Sequence, residues 1–463
     1  MELPADFIQQ TREIMGEELF GRYLASFDGE VPVSIRLNPR KCHLSADSAS
    51  RWMADEAGGA APVPWCEYGF YLPTRPNFTF DPLLHAGLYY VQEASSMFLG
   101  HVLRELSHTG WTLGEGAYAL DLCAAPGGKS TLLRSMLPED CTLISNEPMR
   151  NRAEVLAENV QKWGYARHLV TNNYPKDFRK SGLQFQLILC DVPCSGEGMF
   201  RKDEATIGEW SLQNVNRCWQ LQREIVSEAW QCLCGGGVLI YSTCTFNTKE
   251  NEENIRWMIE ELGAEVISVR TEQSWSITGS LLSGFQEPVY RFIPGVTKGE
   301  GLFMCILRKG GDSSVRGGRN KQGINTSNYH ERATRNSRER SSRNQLSLRI
   351  LSDGEYPVGM SKGKTVVPAH TEAIYIDRNT AKYPTAELTY QQAVSYLRRE
   401  SIVLDYDVPH GFVVVTFEGV PLGFVKNIGS RANNHYPESW KIKTTHIPQD
   451  YEAILRHTES NTD

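Results

Sequence analysis

Leu120-Asp121-Leu122-Cys123-Ala124-Ala125-Pro126-Gly127-Gly128-Lys129-Ser130 follows an apolar run and leads into a helical stretch. Paired glycines at such a turn let the backbone approach a ligand, and the helix N-terminus behind them favours a negative group. A phosphate-cradling P-loop would share the Gly128-Lys129-Ser130 ending, but it needs another glycine five positions before Gly128, where Cys123 stands. A dinucleotide fingerprint is absent as well, since no G-x-G-x-x-G occurs. A plain strand-to-helix turn is the alternative, and the surrounding motifs weigh against it.

Outward from this turn, residues 116–308 alternate short apolar runs with amphipathic stretches. Strands are expected at 117–120, 142–145, 168–170, 185–189, 238–241 and 302–307, and helices at 130–135, 151–163, 215–233 and 249–262. This alternation predicts an α/β fold with a doubly wound sheet. Such sheets hold their ligand at the C-terminal ends of the strands. One strand after the glycines, Ser145-Asn146-Glu147-Pro148 places a carboxylate at that edge, where it can hydrogen-bond ribose hydroxyls. A solvated loop glutamate is the alternative reading, and the neighbouring glycine turn favours nucleoside binding.

At 463 residues the chain calls for two or three domains. The expected division is an N-terminal extension at 1–110, the α/β domain at 111–309, a linker at 310–345 and a small α+β module at 346–463. The linker is rich in Gly, Ser, Asn and Arg and lacks periodicity. Its arginines can contact phosphates, which offsets a net charge of -7 that otherwise argues against a nucleic-acid binder. No apolar run nears the roughly 20 residues that span a bilayer, and the N-terminus lacks a signal-peptide pattern. A cytoplasmic protein without a membrane segment is expected. The 11 cysteines are scattered, without paired CxxC motifs, so neither disulfides nor a metal site are expected.

Two of those cysteines stand apart by position. One expected strand runs into Cys190-Asp191-Val192-Pro193-Cys194-Ser195-Gly196-Glu197-Gly198, and another into Tyr241-Ser242-Thr243-Cys244-Thr245. Parallel strands would present both thiols at one edge, beside the glycine turn. Methylation of a cytosine at carbon 5 would use such a pair. That carbon is too weakly nucleophilic to take a methyl group until a thiolate adds at carbon 6. A carboxyl group at ring nitrogen 3 assists the addition, and a base then removes the carbon 5 proton so that the nucleophile can leave. A free thiol has a pKa near 8.5, so the attacking cysteine needs a cationic or helix N-terminal environment, which Lys129 could provide unless it orients the base instead. Spacing alone does not order the two cysteines.

The CAAPGGKS, DVPCSGEGMF and YSTCTFNTKENEENI segments together resemble the Sun-type (Nol/Nop/Sun) RNA cytosine-C5 methyltransferases, over residues 30–308. With the tail LGFVKNIGSRANN at 422–434 the chain is most similar to the bacterial RsmF-type 16S rRNA enzymes. The resemblance implies a Rossmann-like class I methyltransferase sheet, an N-terminal α/β extension and a PUA-like C-terminal module. It implies Cys244 as nucleophile, Cys194 as the thiol that resolves the covalent intermediate, Asp191 against the cytosine and Lys129 beside it. S-adenosylmethionine would be held by Cys123, Ala124, Ala125, Pro126, Gly127, Gly128, Lys129, Glu147, Arg152, Asn173 and Asp191. RNA would meet Arg36, Asn38, Gln92, Ser95 and Arg431; as bare residues the first four read more often as ordinary polar groups at the surface, and the stretch holding Arg431 equally as a turn. The family has an alanine at Val192, and an aspartate for the adenine where Tyr174 falls, so Asn173 or the Tyr174 ring would serve there. The implied partner is ribosomal RNA or the small ribosomal subunit, bound by a monomer. Transfer RNA as substrate, and an inactive RNA-binding assembly factor, are the competing readings.

Overall fold

Aliphatic runs bounded by turns become strands covered on both faces, and they line up as one sheet. Its strands are β1 (Tyr118–Asp121), β2 (Thr142–Asn146), β3 (His168–Thr171), β4 (Phe185–Asp191), β5 (Leu233–Thr243), β6 (Ala264–Val266), β7 (Tyr290–Phe292), β8 (Leu302–Lys309) and β9 (Ile350–Ser352). The structure, a computed structural model, describes residues 2–56, 59–311, 348–352, 359–362, 365–376, 382–444, 446–447 and 455. All but the first two residues of the expected linker lie outside the described residues.

The order across the sheet is β6-β8-β5-β4-β1-β2-β3-β9, with β7 paired to β8. Strands β1 to β5 are parallel, and β8 and β9 pair antiparallel at the two flanks. Strand order reverses at β1, so β1 and β4 flank the crevice where this fold takes its ligand. Register puts Asp121 opposite Leu189 and Asp191 opposite Ser242, which brings the loops after β1, β4 and β5 to one edge. Helices α2 (Phe98–His108), α3 (Gly128–Met136), α4 (Arg150–Trp163), α5 (Pro175–Ser181), α6 (Leu212–Cys232) and α7 (Glu252–Leu262) accompany the strands. Leu120, Ile144, Ile188, Leu239 and Ile255 form part of the buried core.

Two compact units emerge, each discontinuous in sequence. The first comprises 1–32, 93–156 and 167–353 and contains the nine-stranded sheet. Its N-terminal helix α1 (Ala5–Ala25) packs Phe7 on Phe200 and Trp210, and Tyr23 on Phe246. These edge-on aromatic contacts fasten the segments following Cys194 and Cys244. The second unit comprises 33–92, 157–166 and 354–463. It holds an antiparallel sheet ordered 61–63, 66–72, 33–37, 89–91 and a mixed sheet ordered 385–387, 411–417, 420–427, 432–434. Ile35, Phe70 and Leu83 from the N-terminal part share one core with Leu397, Val415 and Leu422 from the C-terminal part.

The six expected strands and four expected helices of the α/β domain form, with ends displaced by a few residues. In the C-terminal segment a helix, Tyr390–Leu397, is opened by Thr389, whose hydroxyl accepts from the Gln392 backbone N–H. No described helix is long and apolar enough to cross a membrane, and no described cluster of His, Cys, Asp or Glu could hold a metal ion.

Candidate active site

The chain leaves β1 through Leu122 and Cys123, crosses Ala124 to Gly127, and enters α3 at Gly128. Gly127 has φ 119°, a conformation that only glycine adopts without strain, and it forms the N-terminal cap position of α3. Ser130 donates its hydroxyl to Asp121 Oδ2 at 2.5 Å, whereas the buried Asp121 Oδ1 has no hydrogen-bond partner. Burial pushes the Asp121 carboxyl up to about 7. An unpartnered buried acceptor beside a helix N-terminus suits a ligand that brings its own donors.

Glu147 follows β2 and is buried, accepting from the Met149 N–H at 2.9 Å. Arg152 lies 3.4 Å from Glu147 Oε2 and donates to the Ala125 carbonyl at 3.1 Å, so it ties the acid to the glycine loop. Asn173 exchanges hydrogen bonds with the backbone of Arg349: its Oδ1 accepts at 2.9 Å and its Nδ2 donates at 3.2 Å. Strand β9 thereby covers the end of β3, and Tyr174 stands 59% exposed at the start of α5. The amide expected to meet adenine is thus engaged with β9.

Beyond β4 and β5 the two sulfurs meet, with Cys194 Sγ 3.2 Å from Cys244 Sγ. Both are free thiols and partly exposed. Lys129 donates to Asp191 Oδ2 at 2.8 Å, and Ser242 donates to Asp191 Oδ1 at 2.6 Å. The hydrogen bond with Cys194 lowers the Cys244 pKa, and the nearby Lys129 charge lowers it further. Cys194 is driven well up, first by that same hydrogen bond and then by burial. Burial also raises Cys123 and Cys190. The order that spacing left open thus acquires a direction, the shared contact shifting Cys244 down and Cys194 up.

Sequence reasoning overlooked the buried polar groups behind these thiols. Asn247, Glu250, Asn251, Glu252 and Asn254 entered only as part of the motif around Cys244, and all of them are buried. Arg291 Nε donates to Glu252 Oε1 at 2.9 Å and Arg291 Nη1 to the Phe246 carbonyl at 2.8 Å. Thr243 donates to Asn251 Oδ1 at 2.6 Å, and Asn251 to the Thr245 carbonyl at 2.9 Å. The only hint was density: a cluster of amide and acid residues straight after Cys244.

Gly198 shows how closely the two loops approach. Its N–H donates to the Cys244 carbonyl at 2.8 Å, and a Cβ there would lie 2.9 Å from both the Cys244 and Glu300 carbonyl oxygens. Gly198→Ala is expected to push the loops apart, at a cost of roughly 1–3 kcal/mol. Thermal melting should show that loss, accompanied by slower alkylation of Cys244; a melting curve identical to the native one would contradict the close approach.

The residues expected to meet RNA are placed differently from one another. Arg36 is buried in the second unit, donating from Nε to Gln92 Oε1 at 2.8 Å and lying 4.4 Å from the centre of the Trp163 ring. Asn38 caps a short helix by accepting from Arg40 N–H, and donates to the Gly87 and Trp163 carbonyls at 3.1 and 2.9 Å. Arg36, Asn38 and Gln92 thus brace the interior of their unit. Ser95 is buried in the first unit, its N–H on Glu93 Oε1 at 2.9 Å. Arg431 is exposed beside the strand Ala432–Asn434.

Residues 112–308 match a family described as 16S rRNA methyltransferase RsmB/F, residues 3–94 the N-terminal domain of 16S rRNA methyltransferase RsmF, and residues 383–442 the methyltransferase RsmF PUA domain. A ribosomal RNA small subunit methyltransferase F of Aliivibrio fischeri is 29% identical over 477 residues, 94% of this chain and 97% of that protein. Its namesake in Pectobacterium atrosepticum is 32% identical over 317 residues, 67% of this chain and 63% of that protein, so the match spans less than two thirds of the relative's length. A solved methyltransferase homolog protein from Pyrococcus horikoshii shares the fold, with TM-score 0.53 and 24% identity over 66% of this chain and 100% of that one.

Proposed function

Because this chain falls in the RsmF-type methyltransferase family, with N-terminal, methyltransferase and PUA modules in the same order, we propose that it methylates carbon 5 of a cytosine in small-subunit ribosomal RNA. The observation that carries this reading is the pair of sulfurs 3.2 Å apart, with the Lys129–Asp191 contact beside them. Bound at the glycine loop, S-adenosylmethionine supplies a methyl group on a sulfonium. Gly127, Gly128 and the start of α3 would hold it, with Glu147 at the ribose hydroxyls and Asp121 Oδ1 accepting from its amine.

The chain's own residues do the rest. Cys244 Sγ adds to carbon 6 of the cytosine, forming a C–S bond and giving carbon 5 the electron pair that takes the methyl group. Asp191 holds the polar edge of the ring, and the Lys129 ammonium beside it favours the Cys244 thiolate. A base takes the carbon 5 proton, the C5–C6 double bond re-forms and the C–S bond to Cys244 breaks, its electron pair returning to the Cys244 sulfur. Cys194, at contact distance from the departing sulfur, assists that release. The target base must be unpaired or flipped to reach either thiol. The PUA module and Arg431 would hold flanking RNA, and the protein would act as a cytoplasmic monomer.

The test is to incubate the protein with labelled S-adenosylmethionine and either ribosomal RNA, small subunits or transfer RNA, and to look for 5-methylcytosine. Label in small-subunit RNA is expected. Label in transfer RNA alone would reassign the substrate. No transfer to any RNA, together with no cofactor binding, would overturn the catalytic reading in favour of an RNA-binding assembly factor.

A further inference from the structure

Behind the two thiols lie two buried acids that the chemistry above does not use. Glu250 and Glu197 are 0% and 2% exposed, and Asn247 lies between them, donating from Nδ2 to Glu250 Oε1 at 2.8 Å and to Glu197 Oε1 at 3.0 Å. Each acid reaches across to the other cysteine's loop. Glu250, which follows Cys244 in sequence, accepts from the Ser195 N–H at 3.0 Å, the residue after Cys194. It also accepts from Gln222 Nε2 at 2.6 Å, and the same amide donates to the Pro193 carbonyl at 2.9 Å, the residue before Cys194. Glu197, which follows Cys194, accepts from the Phe246 and Asn247 N–H groups at 2.7 and 3.0 Å, just past Cys244. The Ser195 and Thr245 hydroxyls meet at 2.8 Å in the middle.

Burying two acids so close together is a poor way to gain stability, since desolvation opposes it and apolar groups of similar size would serve as well. Fully hydrogen-bonded networks of this kind instead define one geometry. We infer that Glu250 and Glu197, joined through Asn247, are positioning residues that set the distance between Cys194 and Cys244, and thereby the release of the RNA adduct. Each carboxylate gathers donors flanking one thiol and hands them to the other strand's loop, so neither loop can move alone. The clause about release rests on the methyltransferase reading; the clause about distance does not.

Glu250→Gln keeps the shape but turns one acceptor into an NH2 group. Either orientation of the new amide sets donor against donor, at Asn247 on one side or at Ser195 and Gln222 on the other. Adduct formation with RNA should stay within about threefold of native while its release slows about tenfold or more, so that adduct accumulates. Without RNA, iodoacetamide is expected to label the native protein at Cys244 ahead of Cys194, and mass spectrometry should show that preference shrinking at least about threefold in Glu250→Gln. Gln222→Met, which removes one donor and keeps the acid, should shift both measurements the same way by less, and it carries the test if Glu250→Gln does not fold. Native release together with native labelling overturns the inference, as does an equal slowing of formation and release. If no RNA forms an adduct with the native protein but the labelling preference still shrinks, the positioning role stands and the methyltransferase reading falls.

Discussion

Cys194→Ala is expected to accumulate a covalent protein–RNA adduct in the presence of cofactor, and Cys244→Ala to form none. The asymmetry follows from what surrounds each sulfur. Cys244 shares a hydrogen bond with Cys194 and has the Lys129 charge nearby, and both lower its pKa, which favours the thiolate needed to attack carbon 6. That same contact, and then burial, drives the Cys194 thiol well up. Without Cys244 no bond to carbon 6 forms, carbon 5 stays unreactive, and methyl transfer should fall by about 10⁴-fold or more. Without Cys194 the addition slows, because Cys244 loses the contact that lowers its pKa most, but addition and methyl transfer still proceed, and the methylated adduct has lost the group that helps it collapse. Turnover should then fall on the order of 10²–10⁴-fold, the range of a lost acid–base partner. A denaturing gel reads the outcome as a protein band retarded by RNA. A retarded band from Cys244→Ala and none from Cys194→Ala would exchange the two roles.

Much of this site was legible because a parallel sheet gathers its strand ends, so a cysteine after each of two strands implies a shared edge. Apolar runs located β1, β2, β4 and β5 well enough to put Gly127, Glu147, Asp191, Cys194 and Cys244 there. Burial of polar residues was not legible. Asn247, Glu250 and Asn254 have the composition of a solvated helix start, and only the packing of α6 and α7 against the cysteine loops turns them inward. Arg36 erred in the same direction, as an arginine between apolar residues reads as surface until Trp163 and Gln92 are found beside it. Strand β9 is three residues long and pairs with β3 from nearly two hundred residues downstream, a contact that no local periodicity encodes. Nor could hydrophobicity say that the 33–92 and 354–463 segments share a core, since an apolar face does not name its partner.

Lys129→Met should slow methyl transfer about 10²-fold or more and raise the pH at which Cys244 is half-alkylated. Both effects have one cause. The Lys129 ammonium, held 2.8 Å from Asp191 Oδ2, offsets the Asp191 charge and lowers the Cys244 pKa, whereas Asp191 alone raises it. Removing the ammonium takes away an attraction for the thiolate and exposes it to an uncompensated carboxylate, so both changes push the Cys244 thiol upward. The sign is therefore fixed. In the native protein the thiolate persists below the free-cysteine range near 8.5 and alkylation slows as pH falls through the lowered pKa; in Lys129→Met that fall begins at higher pH. A displacement of about one unit corresponds to about 1.4 kcal/mol of lost thiolate stabilisation. Lys129→Arg keeps the charge and should leave the midpoint near native, although its fork fits the Asp191 and Ser242 contacts less well and transfer should still slow. Iodoacetamide labelling across pH, resolved by mass spectrometry of the Cys244 peptide, gives the midpoint without any RNA. A midpoint unmoved by Lys129→Met, with methyl transfer nevertheless lost, would show that Lys129 acts on the cytosine or on Asp191 alone and that Cys194 is the sufficient cause of the Cys244 thiolate.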